Sequence, residues 1–302
     1  MRKLYLLLAI FCLSFMAKAD EGMWLLKELS SESIARMQEL GFTFPINSLY
    51  SDDNPSLKDA VVIFGGGCTG VAVSEQGLIF TNHHCGFGAI QKLSAVEHDY
   101  LRDGFAANNM EEELYADGLT IAFLRSMEDV TDKILPHIPP VLSEIQMELA
   151  IDSLSNELIK EYEYDPFTSA RVVPFYSRNK YYVVLYDVFR DVRLSATPPQ
   201  SVGKFGGDTD NWMWPRHTGD FSVFRVYADK DNNPANYSES NVPYKPKYIV
   251  PVSLAGVKDG DYAMTVGYPG STQRYLSSWG INQRVESENA PRVEVRGVKQ
   301  DI

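Results

Sequence analysis

Two adjacent histidines, His83 and His84, follow a short apolar run and stand directly before Cys85. The run, residues 78–80, comes after a glycine-containing turn at 75–77 and predicts a short strand. A histidine held at the tip of a buried strand is rigid enough to act as a general base. The sequence therefore places a candidate base at the end of this strand.

The cysteines suggest how this turn is held in place. Cys68 lies seventeen residues before Cys85, and two facing strands joined by a tight turn bring such a pair within disulfide reach. The remaining cysteine, Cys12, lies in a leader whose removal leaves an even, pairable count. The alternative is a metal site built from His83, His84 and the two cysteines, as in a metal-dependent hydrolase. We favour the disulfide, because neighbouring side chains on a strand point to opposite faces.

A base histidine needs a carboxylate on its other ring nitrogen, which fixes the tautomer and stabilises the imidazolium that forms. Asp220 is the best placed carboxylate, because it ends a loop rich in glycine and tryptophan and immediately precedes an apolar run at 221–227. Asp208 and Asp210, in the same loop, are the alternatives and rank below it as solvated loop carboxylates. The sequence predicts that Asp220 meets the histidine of the hairpin.

Strand patterns dominate the chain and predict a mainly β, antiparallel fold with inserted helices. Apolar alternation and runs of β-branched and aromatic residues predict the strands. They are expected at 57–64, 71–73, 78–80, 119–124, 181–189 with a continuation at 193–194, 221–227, 251–254 and 262–266. The last two would close a six-stranded barrel. Helical spacing predicts helices at 31–40 and 140–164, a helical turn at 88–93 and a helix start at 272–285.

Residues 1–19 have the pattern of a secretory signal peptide and lie outside the fold. Arg2 and Lys3 precede an apolar run of about thirteen residues, and a small-x-small cleavage pattern ends at residue 19. The run is too short to span a bilayer comfortably, although a retained membrane anchor is the alternative. We expect an exported protein, periplasmic or associated with the cell surface, whose mature chain begins at Asp20.

The composition is acidic. The formal net charge is −12, and loss of Arg2, Lys3 and Lys18 with the leader would make it −15. Such a surface disfavours nucleic acid and anionic membranes as partners. The hydrophobic content of 44% favours a packed core over disorder.

Several stretches carry a resemblance to a known family. They are GGGCTG and VSEQGLIFTNHHCG within 65–86, HDYLRDGF at 98–105, KFGGDTDNWMWPRHTGDFSVFRVYAD at 204–229, DYAMTVGYPGST at 261–272 and VRGVKQDI at 295–302. The histidine turn resembles that of chymotrypsin-like serine peptidases. The stretches together are similar to the dipeptidyl-peptidase 7 and 11 family of bacterial serine aminopeptidases, and closer to its dipeptidyl-peptidase 7 branch.

The resemblance implies a chymotrypsin-like antiparallel β-barrel, the first of two, over residues 20–270 with a helical insertion near 140–164. Residues 271–302 would begin an α-helical cap domain. No GDSGG-like serine occurs in the chain, and Ser271 lacks the flanking glycines whose N–H groups build an oxyanion hole. The family places its serine in the second barrel, beyond residue 302. The chain is therefore expected to be the N-terminal part of a longer enzyme and inactive alone.

The resemblance also assigns roles to residues. His84, directly before the cysteine, would be the base, Asp220 would orient it, and His83 would pack or hydrogen-bond locally. Asn211 and Trp212 match positions that help to hold the N-terminal end of the substrate. The alternative for Trp212 is stacking that holds the loop together.

The function implied is that of a serine-type dipeptidyl aminopeptidase. It would release dipeptides from peptides with a free N-terminus, with a hydrophobic residue before the cleaved bond. No metal or organic cofactor is implied, and homodimers occur in the family. A function of another class stays open, namely an exported β-barrel that binds peptides without cleaving them.

Overall fold

The computed structural model describes residues 23–139, 141–207, 213–270 and 276–301. The chain divides into two compact units, Met1–Gly267 and Tyr268–Ile302. Within the described residues, all strands belong to the first unit.

The strands pair antiparallel in one sheet. They are β1 (Val61–Phe64), β2 (Cys68–Ala72), β3 (Leu78–Thr81), β4 (Phe105–Ala106), β5 (Leu114–Tyr115), β6 (Ile121–Asp129), β7 (Thr168–Phe175), β8 (Lys180–Phe189), β9 (Asp191–Thr197), β10 (Ser222–Ala228) and β11 (Val242–Pro243). The helices are α1 (Ser31–Glu39), α2 (His83–Leu93), α3 (Tyr100–Asp103), α4 (Thr131–Ile134), α5 (Glu144–Tyr162), α6 (Gln200–Gly203), α7 (Ser278–Gln283) and α8 (Ala290–Gln300).

The sheet closes on itself through one bent strand. Only Arg190 separates β8 from β9, and the two segments pair with different neighbours. β8 pairs with β6, the ladder continues through β1, β2, β3 and β10, and β10 pairs with β9. When β8 and β9 are taken as one strand, the ring is a barrel of six. β7 adds to β8 outside this ring.

The interior of the ring is built by alternate residues of its strands. Val62 and Phe64 of β1, Phe123 of β6 and Phe224 of β10 are almost fully buried in one apolar cluster. Side chains of a strand alternate between its two faces, so this period of two defines the core face. The mainly β antiparallel fold expected from the sequence is thus confirmed.

The expected closing strands at 251–254 and 262–266 are wrong. Both stretches lack regular structure, and Leu254 is 96% exposed. The bent β8–β9 strand already completes the ring, so two further strands are not needed to close it. The sequence does not distinguish the two cases, because short apolar runs occur both in strands and in extended segments that pair with no strand.

Other elements agree with expectation to within a few residues. The expected strands at 181–189 and 221–227 appear as β8 and β10, and the continuation at 193–194 is part of β9. The strand expected from 57 begins at Val61, because residues 57–59 form a 3-10 turn capped by Ser56 and Asp59. β7 was not anticipated.

The inserted helix α5 packs against the outer strands. Its N-terminus carries a capping box in which Ser143 and Gln146 satisfy each other's backbone N–H groups. Ile151, Leu158 and Ile159 contact an apolar cluster on β7 and β8. None of the described helices is long and apolar enough to cross a membrane.

In the second unit, the described residues 278–300 are helical. α7 passes through a π-helical segment, Arg284–Asn289, into α8. The helix start expected at 272–285 therefore begins at Ser278, while residues 271–275 lie outside the described ranges.

A buried carboxylate joins β10 to its neighbours. Glu113 accepts hydrogen bonds from Ser195 Oγ at 2.5 Å, Arg225 Nε at 2.9 Å and Tyr227 Oη at 2.8 Å. Its side chain is 3% exposed and that of Arg225 11%. Because its partners come from β9 and β10, this carboxylate ties together the strands that precede and follow the loop at 204–218.

We expect Glu113→Ala to lower the free energy of unfolding by about 3–5 kcal/mol, because it leaves the largely buried Arg225 guanidinium without its carboxylate partner. Urea denaturation followed by circular dichroism measures the change. The control is Glu39→Ala, which removes an exposed pair with Arg36 and should cost at most about 1 kcal/mol. Equal effects of the two substitutions would contradict this role for Glu113.

Candidate active site

His84 lies in the first turn of helix α2, and not at the tip of a strand as expected. Strand β3 ends at Thr81, Asn82 is the N-cap, and the helix begins at His83. The helical turn expected at 88–93 therefore starts five residues earlier. The junction is fixed because Thr81 Oγ1 donates a hydrogen bond to the carbonyl oxygen of Thr69 at 2.8 Å.

The structure brings His84 and Asp220 together. His84 Nδ1 lies 2.7 Å from Asp220 Oδ2, and the backbone N–H of His84 donates to Asp220 Oδ1 at 3.0 Å. Asn82 Nδ2 donates to the same carboxylate at 3.3 Å and to the carbonyl oxygen of Asp220 at 3.1 Å. The carboxylate thus serves as a helix cap from a distant part of the chain and as the partner of the imidazole.

Strand pairing explains how residues 136 positions apart meet. β10 pairs antiparallel with β3, and Ser222 lies opposite Thr81. Asp220 precedes Ser222 by two residues and His83 follows Thr81 by two. The start of β10 and the end of β3 therefore lie side by side, which brings Asp220 next to the first turn of α2. Ser222 Oγ also donates to the carbonyl oxygen of Asn82 at 2.9 Å.

Helix α2 approaches β10 closely because of a glycine. A Cβ on Gly86 would lie 2.6 Å from Ser222 Oγ and 3.0 Å from a ring atom of Phe224. No side chain fits in that space without a shift of β10. The glycine therefore lets the first turn of α2 rest on the strand that carries Asp220.

The geometry fixes the chemistry that the imidazole can perform. Since a carboxylate only accepts hydrogen bonds, the contact with Asp220 requires a proton on Nδ1 of His84, which leaves the lone pair on Nε2. The His84 side chain is 69% exposed and that of Asp220 29%. An accessible Nε2 backed by a carboxylate is the arrangement that a general base needs.

The expected disulfide is present. Cys68 of β2 and Cys85 of α2 are bonded, with their Cα atoms 6.0 Å apart. The bond fixes the residue next to His84 to the barrel. It also leaves neither sulfur as a thiolate ligand, so the metal site considered from the sequence loses two of its four ligands.

His83 points into the protein. It is 1% exposed, its Nδ1 lies 3.1 Å from Thr197 Oγ1, and its ring meets Phe87 edge to face. Burial lowers the pKa of His83; the carboxylate of Asp220 opposes this shift and the nearby His84 adds to it. A buried, neutral histidine with a lowered pKa is poorly suited to serve as the base.

Some expected residues fall outside the described ranges. These are Asn211, Trp212, Asp208, Asp210, Ser271 and the leader at 1–19. Conversely, the sequence interpretation overlooked Asn82 and Ser222, which hold the carboxylate and the helix start. The side chain of Asn82 makes no capping bond within α2, so its role, like that of Ser222, depends on contacts across the sheet that local pattern does not indicate.

Two cavities in the first unit are separate from this pair. One, of about 260 Å³, is lined by residues of β1, β6, β7 and β8, and the other, of about 710 Å³, lies between α5 and β7. Neither His84 nor Asp220 lines either of them. Within the described residues the candidate site is an exposed edge of the barrel.

Comparison with known proteins gives consistent matches. A family model described as Peptidase S46 matches residues 19–302. Dipeptidyl-peptidase 7 of Porphyromonas gingivalis is 60% identical over 96% of this chain and 41% of its own length. Dipeptidyl-peptidase 7 of Porphyromonas endodontalis is 57% identical over 100% of this chain and 37% of its own length. An Asp/Glu-specific dipeptidyl-peptidase of the latter organism is 47% identical, over 98% of this chain and 42% of its own length.

Solved structures agree. The crystal structure of Porphyromonas endodontalis DPP11 with the dipeptide Arg-Glu superposes with a TM-score of 0.86 at 46% identity, covering 94% of this chain and 41% of that one. The chain thus spans about two fifths of the length of the curated relatives it matches.

Acid should destabilise the fold through His83. The unfolded histidine has an ordinary pKa of 6.5 and the folded one a lower pKa. Between the two values the unfolded chain binds a proton that the folded chain does not. We therefore expect the free energy of unfolding to fall as the pH drops below about 6.5, with a slope of at most about 1.4 kcal/mol per pH unit from this group, and to be unaffected by it above that pH.

Urea denaturation of the unmodified chain and of His83→Gln over this pH range checks the expectation. Carboxylates titrate in both proteins, so the slope that disappears in the variant is the contribution of His83. Parallel pH profiles for the two proteins would contradict the lowered pKa.

Proposed function

This chain belongs to the peptidase S46 family, and on that premise we propose that it carries the base and the orienting carboxylate of a serine-type dipeptidyl aminopeptidase. One observation carries the proposal: His84 Nδ1 is hydrogen-bonded to Asp220 at 2.7 Å while the imidazole remains largely exposed. The family membership agrees with the resemblance seen in the sequence.

In the proposed reaction, Nε2 of His84 takes the proton of an attacking serine hydroxyl as its oxygen bonds to the peptide carbonyl carbon. The resulting imidazolium is stabilised by the Asp220 carboxylate and then gives its proton to the leaving amine. The C–N bond breaks and an acyl-enzyme remains. A water molecule then attacks the acyl-enzyme carbonyl in the same way, with His84 as base, and the dipeptide is released.

We place the attacking serine outside these 302 residues. No serine in the chain has the flanking glycines of a peptidase nucleophile. The matched relatives are more than twice as long as the region they share with this chain. A base and its carboxylate without the attacking oxygen form no acyl intermediate.

The substrates proposed are peptides with a free N-terminus. Asn211 and Trp212 would hold that amine, since an amide and an indole side by side supply a fixed hydrogen-bond partner and a wall. A relative of this family has been crystallised with a dipeptide. Dipeptidyl-peptidase 7 of Porphyromonas gingivalis is 60% identical to this chain and the Asp/Glu-specific relative 47%, and resemblance to the former branch implies a hydrophobic residue before the cleaved bond.

We further propose that the protein is exported by the leader at 1–19 and acts in the periplasm or at the cell surface. The oxidising conditions there suit the disulfide between Cys68 and Cys85. A homodimer is proposed from the family resemblance alone.

Activity on a dipeptidyl chromogenic substrate tests the roles of His84 and Asp220. The 302 residues alone should show no turnover. In a protein that carries them together with the attacking serine, Asp220→Asn should lower kcat by about 10³–10⁴-fold, because the imidazole loses its orienting acceptor. KM should change little, because the carboxylate does not bind substrate.

The matched control is His137→Ala, which alters another exposed histidine and should leave kcat within about twofold of the unmodified protein. Turnover by the 302 residues alone, or an Asp220→Asn variant with full kcat, would contradict the assignment. Binding of peptides without cleavage by the complete protein would favour the peptide-binding alternative.

Specificity is a separate measurement. With the same leaving group, kcat/KM should be at least about tenfold higher for a hydrophobic residue before the cleaved bond than for aspartate or glutamate, because an apolar pocket leaves a buried carboxylate unpaired. A preference for the acidic substrates would place the protein functionally with its Asp/Glu-specific relatives.

A further inference from the structure

The buried ring of His83 contacts two segments that flank the candidate site. Its Nδ1 reaches Thr197 at the end of β9, and its ring presses against Gly203 of α6. A Cβ on Gly203 would lie 2.6–2.8 Å from three atoms of the imidazole. The His83 ring therefore leaves no room for a side chain at position 203, and glycine is the residue that fits there.

Just beyond this contact, the two ends of the segment 204–218 meet. The N–H of Gly219 donates to the carbonyl oxygen of Val202 at 3.0 Å, and Thr218 Oγ1 donates to that of Phe205 at 2.6 Å. A Cβ on Gly219 would lie 2.7 Å from Val202 Cγ1. We call this junction, formed by Val202, Gly203, Phe205, Thr218 and Gly219, the neck.

The neck and the His84–Asp220 pair are linked at both ends. On one side Gly219 is followed directly by Asp220, whose carboxylate caps α2. On the other side Gly203 rests on His83, the first residue of α2, which is followed by His84. Asp220 therefore directly follows Gly219, which belongs to the neck. His84 directly follows His83, on which Gly203 of the neck rests.

The tautomer of His83 shows why an aromatic hydrocarbon ring would not serve. Thr197 Oγ1 lies 3.3 Å from the carbonyl oxygen of Pro198 and 3.1 Å from His83 Nδ1, and a hydroxyl that donates to the carbonyl accepts from an Nδ1–H. Nε2 is then unprotonated, and among the residues that the structure describes this buried atom has no hydrogen-bond partner. A buried polar atom without a partner is costly and requires an explanation. The two contacts of His83 explain it, because a flat ring must pack on Gly203 while a donor on one edge of that ring reaches Thr197.

We propose that His83 is a positioning residue, which joins the neck to helix α2 and so keeps His84 and Asp220 aligned. The consequence for catalysis rests on the function proposed above, whereas the joint itself does not. Only Nδ1 of the ring has a partner between Thr197 and Gly203, so Nε2 is left without one among the described residues. We therefore expect a substitution that weakens the contact of His83 with either Thr197 or Gly203 to destabilise both the neck and the start of α2.

Hydrogen exchange of two backbone amides tests the joint in the chain itself. The N–H of Gly219 reports the neck and the N–H of His84 reports the capped start of α2, so we expect Thr197→Val to speed exchange at both by at least about tenfold. Amides of β8 should exchange as in the unmodified chain. Thr197→Ser, which keeps the hydroxyl, should restore both amides to within about threefold.

Two further variants complete the design. Gly203→Ala forces the ring of His83 away and should give the same pattern, which keeps the test usable if Thr197→Val does not fold. Thr168→Val is the matched control, because it removes another buried threonine hydroxyl, in β7, and should leave the two amides unchanged. Nuclear magnetic resonance of the unmodified chain should also show His83 as the Nδ1–H tautomer.

Three outcomes would overturn the proposal. They are unchanged exchange at both amides, acceleration at Gly219 alone, and equal acceleration at the amides of β8, which would mean only a general loss of stability. No substrate enters the experiment, so a failure here is distinct from a failure of the peptidase assignment, which the activity measurements decide.

Discussion

A single carboxylate at the start of a helix controls the arrangement of the candidate site. Asp220 accepts hydrogen bonds from the backbone N–H of His84, from its ring Nδ1 and from the side chain of Asn82. The first N–H groups of a helix lack partners within the helix and carry partial positive charge, so they favour a negative group at this point. The carboxylate that orients the imidazole is therefore also the one that caps the start of the helix, so loss of Asp220 would disturb both.

The barrel and the covalent bond supply the geometry that this contact needs. The pairing of β3 with β10 sets Thr81 opposite Ser222, which brings two chain segments 136 residues apart to one edge. Closure through the bent β8–β9 strand holds β10 between β3 and β9, and the disulfide of Cys68 and Cys85 holds the first turn of α2 to β2. The long insertion with α5 and β7 packs on the outside of the ring, so it lengthens the chain between the two residues without moving them apart.

Much of this could be predicted from the sequence, and the failures have physical causes. Strong alternation and β-branched runs located β8, β10 and the hairpin, and motif resemblance singled out His84 and Asp220. The helix starting at His83 was missed because its cap comes from a residue distant in the chain, which local propensity does not register. The false strands at 251–254 and 262–266 arose because a run of apolar residues does not reveal whether a partner edge exists. The contact of His83 with Gly203 is likewise a tertiary contact that no spacing indicates.

The tautomer of His84 tests the central claim most directly, because it reports the hydrogen bond to Asp220 without requiring activity. Long-range ¹H–¹⁵N correlation spectra of the histidine-labelled chain, recorded at slightly alkaline pH, distinguish the two neutral forms of each imidazole. We predict that His84 carries its proton on Nδ1 and has a bare Nε2, and that Asp220→Ala abolishes this preference. A proton on Nε2 of His84 in the unmodified chain, or a tautomer that is indifferent to Asp220→Ala, would contradict the account.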